Sequence, residues 1–312
     1  MRALVTGVAG FVGSRLAWQL LEQRHEVRGV DALTPYYDQS AKRDNLAPLL
    51  RDANFSFDEA DLRMAPLDEL VAVDVVFHLA AQPGVRASWG DTFADYVGHN
   101  VLATQRLLEA CRTTGTRVVL ASSSSVYGEA ERHPTPEDVV PRPVSPYGVT
   151  KLAAEQLLTA YTANFGLFGV ALRYFTVYGP GQRPDMAFHR FIRAALAGET
   201  IEVYGDGEQT RDVTFVDDAV AATIAAASVA DPSDPINVGG GLQVALNEVL
   251  GAIERLTGRD LHIERREAAP GDVRHTSADL GRARRLLGYA PSVDLEEGLR
   301  REIAWMRARP RT

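Results

Sequence analysis

Thr6-Gly7-Val8-Ala9-Gly10-Phe11-Val12-Gly13 stands between a short apolar run, Arg2-Ala3-Leu4-Val5, and a stretch with apolar residues at helical spacing. A chain that passes from a buried strand through closely spaced glycines into a helix presents N–H groups and the positive end of the helix dipole, the two things a pyrophosphate needs. Gly7 and Gly10 permit the tight turn and a close approach by phosphate, and Gly13 lets the helix pack on the strand. The spacing is Gly-x-x-Gly-x-x-Gly where the commoner fingerprint is Gly-x-Gly-x-x-Gly, and glycines alone also fit a plain strand-to-helix turn. Asp31, 18 residues after Gly13 at the end of the next apolar run, adds a specific expectation. An acidic side chain there hydrogen-bonds the adenosine ribose hydroxyls and repels a 2′-phosphate, which favours NAD over NADP. Asp61-Leu62, after a third run, could border the adenine, although an Asp after a strand is also an ordinary turn residue.

Outward from this segment, the first half of the chain alternates short apolar runs with helix-period segments, the pattern of a parallel sheet covered on both faces. Strands are expected over 2–6, 26–31, 54–59, 74–79, 117–122 and 168–174, and helices over 11–23, 40–50, 91–113 and 145–165. The fold class expected is α/β, a doubly wound parallel sheet of the Rossmann kind. After Tyr174 the strands shorten and Gly/Pro/Asp turns intervene, as at Tyr204-Gly205-Asp206-Gly207 and Asp231-Pro232-Ser233-Asp234-Pro235. Residues 1–175 are therefore read as the dinucleotide-binding domain, with a later segment at about 213–240 returning to it, and 176–312 as mainly a smaller α/β substrate-binding region. No internal repeat or low-complexity tract is visible.

Composition narrows the partners. With 312 residues, 46% hydrophobic and 24% charged, the chain is long enough for a substantial core. A net charge of -8 argues against nucleic acid or an anionic membrane surface, which attract basic stripes. Any phosphate must be held by local groups. One cysteine, Cys111, cannot form an internal disulfide, which fits a reducing compartment. Met1 leads at once into a strand-like run and the Ala-rich stretch 219–230 is too short to span a bilayer, so the expectation is a cytoplasmic protein without signal peptide or anchor. No metal is expected.

A second motif pair carries chemistry. Ser122-Ser123-Ser124-Ser125-Val126-Tyr127-Gly128 falls at the carboxyl end of an expected buried strand, the edge where open α/β sheets bind ligands. Ser145-Pro146-Tyr147-Gly148-Val149-Thr150-Lys151 opens a helix, so Tyr147 and Lys151, four apart, share one face. A lysine cation and a nicotinamide ring beside the phenol would depress its pKa from the usual value of about 10, making a tyrosinate base, while Ser123 orients the same substrate oxygen. Tyr and Lys at this spacing also occur on ordinary amphipathic helices. The serine cluster and the cofactor loop distinguish the two readings.

Together, Thr6-Gly7-x-x-Gly10-x-x-Gly13, His78-Leu79-Ala80-Ala81, Asn100 in Asn-Val-Leu-Ala-Thr, Ser123, Tyr147-x-x-x-Lys151 and Tyr174-Phe-Thr-Val-Tyr-Gly-Pro resemble the extended short-chain dehydrogenase/reductase family of sugar-nucleotide epimerases and dehydratases. The resemblance covers essentially the whole chain. It implies an NAD site lined by Gly7, Gly10, Phe11, Val12, Asp31, Asp61, Leu62, Leu79, Ala80, Ala81, Tyr147, Lys151 and Tyr174, with Asn100 supporting the helix nearby. Ser123, Tyr147 and Lys151 would be catalytic: the tyrosinate takes the sugar 4-hydroxyl proton as C4 gives hydride to NAD, leaving a 4-keto sugar. A homodimer through a four-helix bundle of the helices at 91–113 and 145–165 is also implied.

The outcome of that keto sugar depends on neighbouring acids and bases. Relatives that dehydrate carry Asp-Glu immediately after the catalytic hydroxyl residue, and those that decarboxylate glucuronate carry Glu two places after it. Here these places hold Ser124 and Ser125. Epimerisation, which only returns the hydride to the other face, is the economical expectation. The stretch Thr176-Val177-Tyr178-Gly179-Pro180-Gly181-Gln182-Arg183-Pro184-Asp185-Met186-Ala187 resembles that of UDP-glucuronate 4-epimerases, as do His78 through Arg86-Ala87-Ser88 and the Tyr36-Tyr37-Asp38 loop. Arg183, Thr176, Ser124 and Ser125 would then hold the substrate carboxylate. A 4-keto glucuronate is a β-keto acid, and keeping its carboxylate out of alignment with the carbonyl π-system suppresses decarboxylation. Arg211 and Arg274 resemble the family's diphosphate clamp, Arg86 is a further substrate candidate, and Ala187, Phe188 and Val203 are candidates for flanking uridine, although Phe188 and Val203 equally suit a core and the arginines surface ion pairs. The substrate expected is UDP-glucuronic acid, with UDP-glucose or UDP-N-acetylglucosamine 4-epimerisation as the alternative. Decarboxylase, 4,6-dehydratase and non-catalytic NAD-binding readings stand behind it.

Overall fold

In the computed structural model, which describes residues 1–230, 234–267 and 271–309, the glycine-rich segment joins β1 (Arg2–Thr6) to α1 (Phe11–Glu22). The turn residues expected at Asp231, Pro232 and Ser233 lie outside the described residues, as does Pro270 before Gly271. Next come β2 (Glu26–Asp31), α2 (Gln39–Leu49), β3 (Phe55–Glu59), β4 (Val75–His78), α3 (Phe93–Tyr96), α4 (Ala103–Thr114), β5 (Arg117–Ser123), α5 (Pro146–Phe165) and β6 (Gly169–Tyr174). The remainder comprises β7 (Thr176–Tyr178), α6 (Ala187–Ala197), β8 (Ile201–Tyr204), β9 (Thr210–Phe215), α7 (Val216–Ala226), β10 (Ile236–Val238), β11 (Gln243–Ala245), α8 (Leu246–Thr257), β12 (Ile263–Arg266), α9 (Gly281–Leu287) and α10 (Leu295–Ala308).

A seven-stranded sheet runs in the order β10-β6-β5-β4-β1-β2-β3, and every pairing in it is parallel. The class expected from the sequence is thus the class observed. The central strands β1, β4, β5 and β6 are almost wholly buried, as helices on both faces require. One apolar cluster lies between the sheet and α4 and α5, built on Leu107, Leu108, Cys111, Leu158 and Tyr161. The other includes Leu16, Leu20 and Val220 and continues into the later elements through Phe188, Val203, Phe215 and Ile253. Chain order reverses at β1 beside β4, so the carboxyl ends of these strands form the crevice where doubly wound sheets bind ligands.

Two smaller sheets, β11-β9-β7 and β12-β8, are built from the chain beyond Tyr174. In the same stretch β10 joins the large sheet by pairing with β6, and α7 packs on α1, where Arg15 and Asp217 form an ion pair of 2.5 Å.

The helix expected over 91–113 is not continuous. Gly90, at a left-handed φ of 71°, follows a break at Trp89, and the chain then passes through α3 into a π-helical turn, Val97–Leu102, before α4. Period-based reading misses this because the extra residue leaves the apolar face intact. Its effect is local: buried Asn100 on the widened turn is paired with both Gln82 and Thr150.

Candidate active site

At the crevice the glycines do steric work. Gly7 has φ 69°, and a Cβ there would sit 2.8 Å from Ala80 N; a Cβ on Gly13 would fall 2.2 Å from the Gly7 carbonyl oxygen. β1, α1 and the Leu79-Ala80 main chain therefore come together only without side chains, leaving a shallow cradle at the α1 N-terminus. Buried Thr6 fixes the far wall, because its hydroxyl oxygen accepts from both Leu79 N (3.1 Å) and Ala80 N (3.0 Å). The Thr104 hydroxyl donates to Asn100 O, so it accepts from His78 Nε2–H at 3.0 Å, and Thr6 donates to His78 Nδ1 at 2.8 Å. Burial, reinforced by the Lys151 cation, pushes the His78 pKa down to about 3, and the ring is a neutral structural link.

One continuous cleft runs from this cradle to the catalytic motif. Among its walls are Gly7, Gly10, Phe11, Val12, Asp31, Asp61, Leu62, Leu79, Ala80, Ala81, Tyr147, Lys151, Tyr174 and Arg183. Asn100 lies behind the wall. Asp31 accepts from Ala9 N at 3.1 Å and Leu33 N at 2.8 Å, which aims the carboxylate at the end of β2. Asp61 is bound by Arg63, with Nη2 at 2.7 Å, and that hydrogen bonding holds its carboxyl below the usual range. Thr34, Tyr36, Tyr37 and Lys42 also line the cleft, and sequence reasoning did not place them there. Lys42 Nζ lies 3.9 Å from Asp31 and donates to Thr34 at 3.2 Å. The only sequence signal for these residues was the Tyr36-Tyr37-Asp38 similarity.

At the other end of the cleft the Ser145 side chain caps α5 by accepting from Gly148 N at 3.1 Å, and Pro146 occupies the first turn. That cap fixes the first turn of the helix bearing Tyr147 and Lys151. Lys151 is buried and donates to Ala121 O at 2.8 Å. Burial lowers its pKa to about 8, while Glu155, one turn further along α5, opposes that shift. Glu155 is itself fully engaged: Arg173 binds it through Nε at 3.0 Å and Nη2 at 2.8 Å, and the Ser122 hydroxyl donates to it.

The expectation from the sequence is a phenol depressed by Lys151 and a bound nicotinamide. In the structure burial pushes Tyr147 above its ordinary pKa, and Ser123, by hydrogen bonding, and Arg183, by charge, pull it back. The Lys151 ammonium keeps its charge while donating to the β5 main chain. Arg183 is a second cation at Tyr147 because the Gly179–Arg183 turn folds over the cleft: Gln182 Nε2 donates to Val177 O at 3.1 Å, and Gly179 N donates to Glu302 at 3.1 Å.

Ser123 ends β5, accepts from Ser125 N at 3.1 Å and donates to Ser125 Oγ at 3.1 Å; Ser124 and Ser125 form the short turn beyond it. Thr176 opens β7. Three further candidates cluster apart from the cofactor walls. Arg86 pairs with Asp272 at 2.7 Å and lies 4.1 Å over the Tyr204 ring, Arg211 Nη1 reaches Thr210 O and Arg274 O, and Asp272 and Arg86 are both electrostatic neighbours of Arg211. Arg274 forms an exposed pair with Asp206 at 2.9 Å, the ion-pair alternative foreseen for it. Ala187 is exposed, whereas the side chains of Phe188 and Val203 are buried in the core, Phe188 against Tyr178. For these two the packing alternative applies, and only main chain is left to meet a ligand.

Comparison with known proteins identifies the class. Residues 3–239 match the model of the NAD dependent epimerase/dehydratase family, and the chain belongs to that family. A Bacillus subtilis protein described as an uncharacterized UDP-glucose epimerase is 43% identical over 98% of both chains. A UDP-glucuronate 4-epimerase of Thermodesulfobacterium geofontis is 40% identical over 97% of this chain and 95% of its own. The crystal structure of UDP-glucuronic acid 4-epimerase from Bacillus cereus, in complex with UDP-glucuronic acid and NAD, superposes with a TM-score of 0.96 at 41% identity, covering 98% of this chain and 99% of that one.

Proposed function

We propose that this chain is an isomerase that interconverts UDP-glucuronate and UDP-galacturonate by 4-epimerisation, using tightly bound NAD. The observation that carries the reading is the meeting of Tyr147, Lys151 and Arg183 at one end of a dinucleotide cleft whose next two positions after Ser123 are uncharged serines. The similarity to the Bacillus cereus and Thermodesulfobacterium enzymes supports the same substrate.

NAD fits the residues present. The cradle that a Cβ at Gly7 or Gly13 would fill suits a pyrophosphate, and Asp31 suits the adenosine ribose, with Phe11, Val12, Asp61, Leu62, Leu79, Ala80, Ala81 and Tyr174 as the remaining walls. When bound, NAD would supply a reversible hydride acceptor for the sugar C4. Tyr147 takes the 4-hydroxyl proton on its phenolate oxygen, and the Ser123 hydroxyl holds the same sugar oxygen. Buried Lys151 keeps a positive charge below that site and joins α5 to β5. After the 4-keto sugar turns over, Tyr147 would return the proton to the oxygen on C4. Arg183, Thr176, Ser124 and Ser125 grip the C5 carboxylate meanwhile and hold it out of the alignment that releases carbon dioxide. Arg86, Arg211 and Arg274 bind the diphosphate, and Ala187 with the main chain at Phe188 and Val203 flanks the uracil.

Residues 1–175 with the β9–β10 segment serve the cofactor, and most of 176–312 serves the sugar nucleotide. We infer a cytoplasmic homodimer formed through α3–α4 and α5. Exposed Phe93, Val97, Leu102, Val149 and Phe165 on these segments supply apolar surface for it; among the described residues no helix is long and apolar enough to cross a membrane.

The test is NMR of the product formed from UDP-glucuronic acid with no NAD added, by wild type and Arg183→Ala. Wild type is expected to yield UDP-galacturonate, and Arg183→Ala to lose about a hundredfold in kcat/KM, the scale of a lost charge-assisted bond in a shielded site. Unchanged turnover by the variant would remove the assigned role of Arg183.

A further inference from the structure

Of the 33 basic residues in the chain only two are lysines, Lys42 and Lys151, and both line the cofactor cleft. Lys151 is buried, its hydrogen bond to Ala121 O at 2.8 Å is to an uncharged group, and it forms no ion pair among the described residues. An ammonium so placed has lost its water without gaining a counter-ion in contact, which favours the neutral amine. The proposed reaction needs it charged. Glu155, the only acidic residue of α5, stands one turn beyond Lys151 on the same helix face.

Glu155 is buried as well, and two strands support its charge. From β5 the Ser122 hydroxyl donates to it, and from β6 Arg173 donates through Nε at 3.0 Å and Nη2 at 2.8 Å. A cation and hydrogen bonds directed at the ionised form keep a carboxyl charged where burial alone would protonate it. Arg173 is fixed in turn: its Nη1 donates to Glu137 O at 3.3 Å, and its guanidinium lies 4.7 Å from the centre of the Tyr127 ring. Charges therefore alternate from β6 to the floor of the cleft, in the order Arg173, Glu155, Lys151.

The other ionisable groups around Lys151 offer no anion. His78 on β4 and His99 on the π-helical turn are kept neutral by burial, Tyr147 and Tyr174 are phenols that burial makes harder to ionise, and Arg183 is a cation. Asp31 and Asp61 stand at the far end of the cleft, each beside its own cation, Lys42 and Arg63. Glu155 is the group whose charge opposes the effect of burial on Lys151.

We propose that Glu155, held ionised by Arg173 and Ser122, is a positioning residue that keeps the Lys151 ammonium charged beside Tyr147 and thereby sets the upper pH limit of turnover. The effect on turnover rests on the 4-epimerase reading. The charge on Lys151 does not, and it is measured without turnover.

Because the chain has two lysines, an isotopic label at lysine Cε gives two NMR signals, told apart by Lys42→Arg. The Lys151 signal of the NAD-loaded protein is followed through a pH titration in wild type, Glu155→Gln and Glu155→Gln/Arg173→Gln. The double variant leaves no buried guanidinium unpaired, so it carries the test should the single variant not fold. Both variants are expected to titrate about one pH unit below wild type, and the alkaline limb of kcat for UDP-glucuronate should move down with the midpoint. A residue that merely held the helix in place would lower kcat at every pH and leave the midpoint where it was. A fall of less than about half a pH unit, or a kcat limb that stays in place while the midpoint falls, overturns the proposal. If the midpoint falls as expected but wild type leaves UDP-glucuronate unconverted, the 4-epimerase reading fails and the assignment of the charge to Glu155 stands.

Discussion

Glu302 on α10 has no exposed surface; its Oε2 accepts from Gly179 N at 3.1 Å, and its Oε1 has no partner among the described residues. Burial raises its pKa from 4.5 to about 8, against the opposing hydrogen bond from Gly179. Since the folded pKa lies above the unfolded one, the folded protein holds the extra proton across this window. Stability from this group is fully present below about pH 4.5 and falls as pH rises towards about 8. A shift of this size corresponds to about 5 kcal/mol at most, at about 1.4 kcal/mol per pH unit. Glu302→Gln keeps the shape and an amide but does not titrate. Urea unfolding of both proteins at about pH 5 and about pH 9, at matched NAD loading, should show wild type losing several kcal/mol more than the variant between the two. Asp212 on β9, whose carboxyl burial raises to about 6, and His78 titrate in both proteins and cancel in the difference. Parallel losses would refute a protonated Glu302. The consequence reaches the site because Gly179, at φ 132°, begins the turn that carries Arg183.

Two further outcomes follow from buried charges near the Tyr147 helix. Glu155→Ala should cost about 3–5 kcal/mol in urea unfolding, because Arg173, 4% exposed at its side chain, loses the bidentate partner it has at 2.8 Å and 3.0 Å; a loss below about 1 kcal/mol would contradict the buried pair. The Lys151 ammonium, with a pKa lowered to about 8, predominates below that pH and is lost above it, so kcat should decline as pH rises past about 8. A flat profile from about pH 7 to 10 would remove the requirement for its charge.

What the sequence made legible is local in origin. The three glycines, Asp31 and the Tyr147–Lys151 spacing each act within one turn or one strand end, and six of the seven strands of the large sheet were found to within a residue at each end, the central ones because both-sided burial writes itself as continuous apolar runs; the three-residue β10 was not found as a strand. What stayed hidden depends on partners far along the chain. Lys42 beside Asp31, Tyr36 over Asp185, and the Glu155–Arg173 pair, 18 positions apart, exist only once loops and helices dock. Phe188 and Val203 show the opposite error: position near a substrate motif suggested contact, while packing turned both side chains into the core. The π-helical turn escaped because it preserves the apolar face on which the helix was recognised.

Under the proposed 4-epimerase reading, Arg183 joins recognition to catalysis, because its charge acts on Tyr147 as well as on the substrate carboxylate. Burial makes the phenol harder to ionise, and Arg183 offsets part of that cost. Each carboxylate that Arg183 accepts weakens the offset, because the charge drawing the phenol proton away is being shared. Asp185, paired with Arg183 at 3.0 Å, already takes a share, and a hexuronate would take more. Tight recognition of an acidic sugar thus works against ionisation of the base that must open it. Two other groups share the load: Lys151, anchored on Ala121 O, keeps a cation on the same helix, and Ser123 favours the ionised phenol by a hydrogen bond. A neutral sugar leaves Arg183 freer to assist the base but forfeits an anchor. In the proposed reaction, binding of the acidic sugar and strength of the base are therefore opposed through the same guanidinium.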